Sequence, residues 1–148
     1  MPSFLRQPWF RRSLAAVAGL LLGLVLVALW EAWLVRSRTA LVAELREAYA
    51  KQDAAAIEGL FCWEGVDDAT RSRLRMVIRQ EHELPIAQVS LRPLRSLDLP
   101  PAATLRPNLP PDAVLEVTYA TTDRLSAAYL IGRDGWSRHR LVVMLPAK

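Results

Sequence analysis

Residues 11–35 read "RRSLAAVAGLLLGLVLVALWEAWLV", and no charged residue stands between Ser13 and Trp30. As a helix this uncharged stretch rises about 27 Å against a hydrocarbon core of roughly 30 Å, and extension to Val35 supplies the rest. Glu31 then falls close to a headgroup region, where its carboxylate reaches water. Trp9 and Phe10 precede the run and Trp30 and Trp33 end it, at the two depths that suit amphipathic rings. A cleaved signal requires a shorter apolar core and small residues at a processing site. The exit here, "VALWEAWLVRSR", sets Trp and Leu among its small residues. The stretch is therefore expected to stay as a transmembrane helix over 13–35, with a tail at 1–12 and the chain retained from near Met1. A soluble core helix would need covering on all sides, which the residues after Val35 are too few to do.

Flanking charge sets the expected orientation. Arg6, Arg11 and Arg12 stand before the span without an acid, whereas Arg36 and Arg38 are offset by Glu31 and Glu44. Positive-inside counting places the tail in the cytoplasm and residues 36–148 outside it, which in a bacterial inner membrane means the periplasmic side. The formal charge is +4 over 148 residues, with 19 Lys and Arg against 15 Asp and Glu. That small, dispersed excess gives no broad positive face, so nucleic acid is not an expected partner. The single cysteine, Cys62, forms no internal disulfide.

Beyond the span, "TALVAELREAYAKQ" aligns Leu41, Leu45 and Ala48 on one helical edge with Val42 and Tyr49 beside it. No Pro or Gly separates it from the anchor, so one helix can run through both. Asp53 is placed to cap a short helix in "DAAAIEGLF", and Asp67 or Asp68 to cap "ATRSRLRMVIRQEHEL", which Pro85 ends. The period then changes. "IAQVSL", "AVLEVTYA", "SAAYLI" and "WSRHRLVVML" read as strands, the last two joined by a turn at Asp134-Gly135. The last is apolar on both sides in its second half. Between the first two lies a Pro-rich insert, 92–113, expected to be an irregular loop because its prolines remove donors and restrict φ.

The phrase "REAYAKQDAAAIEGLF", then a helix, then strands ending in "YLIGRDGWSRHRLVVM", resembles the NTF2-like (cystatin-like) superfamily over about residues 38–146. Tyr49, Asp53, Ile57, Leu60 and the final "GRDGW" turn carry the resemblance, and the insert departs from it. The tethered arrangement is also similar to VirB8-like assembly proteins of secretion machines. The expected fold class is α+β: about three helices packed on a curved antiparallel sheet of about four strands. The resemblance implies a cone between sheet and helices, lined by Tyr49, Tyr119, Tyr129 and Trp136.

Chemistry is thinly represented. Cys62 lies between Phe61 and Trp63 as a small core residue, and neither His82 nor His139 stands at a spacing diagnostic of a base. "EHE" at 81–83 does not converge on a helix, so neither metal nor cofactor is expected. Asp53, Asp67, Asp68, Asp98 and Asp123 are acids with capping or turn positions. The expectation is a non-catalytic subunit of a larger membrane complex, with the lipid bilayer and other subunits as partners. Contacts are expected at the helix-packing pair Gly19 and Gly23 and at Leu97, Leu99, Leu105, Arg106 and Leu109 of the insert. The alternative is a tethered ligand-binding or catalytic domain.

Overall fold

The computed structural model describes residues 8–101, 104–135 and 138–147. They form two units, divided between Arg36 and Ser37. Helix α1 runs unbroken from Pro8 to Ala50. Its apolar window is long enough to cross a membrane and none of that window is buried, unlike a soluble core helix. The structure is consistent with a single-pass, bilayer-associated protein bearing a folded domain.

In the domain unit, α1 carries the buried stripe Leu41, Leu45, Ala48 and Tyr49. The helix ends without Gly or Pro. Gln52 takes a left-handed φ of 51°, and the Asp53 N–H turns back to the Ala48 carbonyl at 2.9 Å. Asp53 and Asp67 cap the next two helices, α2 (Ala54–Gly59) and α3 (Asp68–Glu81), each accepting a backbone N–H at 2.9 Å.

Six strands follow among the described residues: β1 (Ile86–Pro93), β2 (Leu105–Pro107), β3 (Pro111–Tyr119), β4 (Ser126–Asp134), β5 (Arg138–Leu141) and β6 (Met144–Pro146). Four make an antiparallel sheet in the order β1-β3-β4-β5, and β2 pairs with β6 apart from it. Alternation puts Leu115, Val117 and Tyr119 of β3 in one core with the α1 stripe, Ile57 and Ile78. Gly132 of β4 is required by close approach, since a Cβ there would stand 2.5 Å from the Pro110 carbonyl oxygen.

Four expectations are corrected. The four-stranded sheet is neither curled nor closed, so the curved sheet and the NTF2-like resemblance both fall. The description of the domain as NTF2-like and periplasmic is corrected with it: the sheet is open, and the fold does not set the domain's side of the membrane. The last predicted strand is two, because the chain leaves one sheet for the other at Val142–Val143. Val143 enters the main core and Val142 a second cluster with Cys62 and Leu109, which is why both its faces are apolar. Finally, the insert is not wholly irregular. It holds a 3-10 turn, Ser96–Asp98, and strand β2. Three ladder positions tolerate Pro107 at their end, where a central strand would not.

Candidate functional site

The two edges of the sheet differ. On the β5 side, the Leu141 N–H donates to the Leu60 carbonyl at 2.9 Å, and the Cys62 N–H to the Leu141 carbonyl at 2.9 Å. The next outward N–H, of His139, donates to Ser37 Oγ at 3.1 Å. That edge is sealed. On the β1 side no strand follows among the described residues. The Tyr119 N–H turns toward β4, donating to the Leu125 carbonyl, so by alternation Thr118, Glu116 and Val114 face β1. Their partners Gln88, Ser90 and Arg92 are thereby used, leaving the backbone groups of Val89 and Leu91 pointing out. One Arg46 Nη donates to the Val89 carbonyl at 3.2 Å, a side chain where a neighbouring strand would supply an N–H. Beside the start of β1 lies a pocket of about 550 Å³, lined by Arg46, Tyr49, Gln52, Glu83, Leu84 and Ile86 among others.

Three of the four aromatics expected to line a cone come together, but in a packed hydrogen-bonded knot. Tyr129 and Tyr119 donate to Glu81 Oε2 at 2.9 and 3.3 Å, and the Tyr49 and Tyr119 hydroxyls lie 3.1 Å apart. Burial is the main cause that pushes the Tyr119 and Tyr129 phenols well above their usual range. Trp136 lies outside the described residues, as do residues 1–7 of the tail.

A second polar array escaped the sequence reading. His139 has a fully buried side chain between Asp112 and Ser37, with Nε2 3.0 Å from Asp112 Oδ2 and Nδ1 2.9 Å from Ser37 Oγ. The carboxylate requires the proton on Nε2, so Nδ1 accepts the Ser37 hydroxyl. Asp112 is aimed there by the register irregularity between Pro111 and Ala113, and Arg38 also reaches Oδ2, at 3.3 Å. Serine, histidine and carboxylate suggest hydrolysis. Yet the imidazole is enclosed and both its nitrogens are occupied, so it has no reach to a substrate. The array pins the start of the domain's helix to β5 and β3.

The expected insert contacts divide. Leu109 is buried against Cys62 and Val142, and Leu105 is half-buried in β2. Arg106 is exposed, Leu99 is 37% exposed and Leu97 94%. Asn108, which no motif flagged, staples the insert down. Its Nδ2 donates to the Cys62 carbonyl at 2.7 Å, and its Oδ1 accepts the Val143 N–H at 2.9 Å. Gly19 and Gly23 are exposed on α1, with open space where a Cβ would stand. Cys62 is buried, and His82 Nδ1 stays local, 2.9 Å from the Arg79 carbonyl. Among the described residues no His/Cys/Asp/Glu group could hold a metal ion. No family model matches this chain, and no curated protein matches it.

Proposed function

We propose that the protein is a non-catalytic subunit of a membrane complex, held by α1, whose domain docks an extended segment of a partner protein on β1. The open β1 edge carries this reading: a row of outward N–H and C=O groups is complemented by a strand, and the adjoining pocket has room for that strand's side chain. Long open edges invite pairing, and soluble folds ordinarily blunt them. Here Pro93 blunts the far end, a register irregularity interrupts the near end between Ile86 and Gln88, and Arg46 holds the Val89 carbonyl, which leaves the Val89 and Leu91 N–H groups and the Leu91 carbonyl outward. The arginine asymmetry around the span supports a cytoplasmic N-terminus and a domain on the opposite side.

Leu91→Pro tests the docking. Leu91 is 37% exposed and its N–H faces outward, so proline removes an edge donor without breaking a bond to β3. In membranes extracted from native cells, the wild type should migrate in an assembly larger than the free chain. The variant should run free while its melting temperature holds. A variant that stays in the assembly refutes strand docking; a wild type that runs free refutes the complex.

A further inference from the structure

A different face of the domain is open and apolar. Between α3 and the insert runs an open groove of about 550 Å³, lined by Leu74, Val77, Pro100, Leu105, Leu130 and Met144 among others. Its lips are apolar and outward. Val77, which lines it from α3, is 43% exposed, and Leu97 and Leu99 bracket the lining residue Asp98 on the other side. Leu97 is presented by a rigid turn. Both Asp98 oxygens accept from the Arg92 guanidinium, at 2.6 and 2.7 Å, and Oδ2 also accepts the Arg95 N–H at 2.7 Å. An exposed leucine on a locked turn has little ordering left to lose on insertion into an apolar medium.

The surround is basic. Arg73 on α3 and Arg95 and Arg106 on the insert are exposed, and none forms an ion pair among the described residues. The nearby acids are engaged: Asp98 and Glu116 with Arg92, Glu81 with the tyrosines, Asp67 with Thr70. Asp68, in the first turn of α3, remains.

We infer that this face seats on a bilayer surface containing anionic phospholipid, Leu97 and Val77 entering the acyl boundary while Arg73, Arg95 and Arg106 meet phosphates. Apolar side chains ringed by arginine match that surface in both chemistry and charge. A nucleic acid offers no apolar medium for Leu97, and a zwitterionic bilayer offers little attraction to the arginines. The inference uses none of the β1 residues and stands apart from strand docking.

Leu97→Cys in the full chain, labelled with an environment-sensitive nitrobenzoxadiazole dye, reads the contact; Cys62 is buried and escapes labelling. The protein is placed in nanodiscs of phosphatidylcholine with or without phosphatidylglycerol, both carrying a spin-labelled lipid quencher. Phosphatidylcholine discs are also offered vesicles of phosphatidylglycerol carrying the quencher. Quenching only where phosphatidylglycerol is present, in the protein's own bilayer or in the added one, is the expected result. Each arginine reversed to Glu among Arg73, Arg95 and Arg106 should weaken it at least roughly fivefold, and high salt should abolish it. A dye on Gln88→Cys, exposed on β1, should stay unquenched. Equal quenching in phosphatidylcholine alone, no quenching anywhere, or a concentration-dependent dye shift without quenching would each overturn the inference. The last would assign the face to a second copy.

Discussion

Ser37→Ala isolates the buried array, because the sign of its effect separates two accounts. If Ser37 were merely a helical residue, alanine would stabilise the domain by roughly 0.5 kcal/mol through propensity. The structure requires the reverse. Removing Oγ strands the His139 Nδ1 acceptor beside a fully buried ring and the His139 backbone N–H, which lie 2.9 and 3.1 Å from that oxygen. Each buried polar group left unpaired costs about 1–3 kcal/mol. Partial relaxation and the propensity gain leave a net loss of about 2 kcal/mol, roughly 8 °C in melting temperature at about 4 °C per kcal/mol. The assay is a thermal melt of the full chain in detergent, followed by near-ultraviolet circular dichroism. Ser37→Thr keeps the hydroxyl and should melt within about 2 °C of wild type. An alanine variant as stable as wild type, or more so, refutes the assigned network.

The only three tyrosines in the chain form the Glu81 knot, so phenolate absorbance reads that cluster alone. Tyr119 and Tyr129 have raised folded pKa values, so their stabilisation is complete below pH about 10 and is lost as pH rises beyond it. Their absorbance step should coincide with alkaline unfolding; a smooth titration of Tyr119 and Tyr129 in the folded domain would contradict the burial. Asn108→Ala removes three side-chain hydrogen bonds to the Cys62, Glu64 and Val143 backbones and should cost about 2–3 kcal/mol in urea unfolding, with β2 exchanging its amides first. Asp98 is pulled down to about 2, chiefly by its hydrogen bonds to Arg92. A depressed carboxylate stabilises above its unfolded value, so the advantage of wild type over Asp98→Asn should vanish as pH falls from about 4 to about 2. An advantage unchanged at pH 2 would show the pair to be idle.

Features written in contiguous residues were legible. Hydropathy marked the membrane-length helix, and the i, i+4, i+7 spacing of Leu41, Leu45 and Ala48 marked the face that meets the sheet. Asp53 and Asp67 cap as their positions imply, since a cap needs only the next three residues. Sheet curvature is different: it is a property of all strands together, and no local alternation encodes it. The turn phrase at Asp134-Gly135 fits an open sheet as well as a curved one. The Ser37–His139–Asp112 array joins residues 102 and 27 positions apart, with a bulge doing the aiming, and no spacing rule reaches that far. The three tyrosines meet in a packed knot and not around a cone: strand alternation sends Tyr119 and Tyr129 toward the helices, but their convergence on Glu81 depends on where α3 lies.

The unequal edges also set a stoichiometry. A sheet able to accept strands on both sides lets copies join head to tail, and such contacts run on into filaments unless rotation closes them. With β5 occupied by Leu60–Cys62 and Ser37, this sheet has one vacancy. The four-stranded sheet of each chain can accept one strand, and two copies meeting at β1 would exhaust that sheet's capacity as a closed pair. Monovalency of this kind lets a long β1 stay open without condemning the protein to fibres.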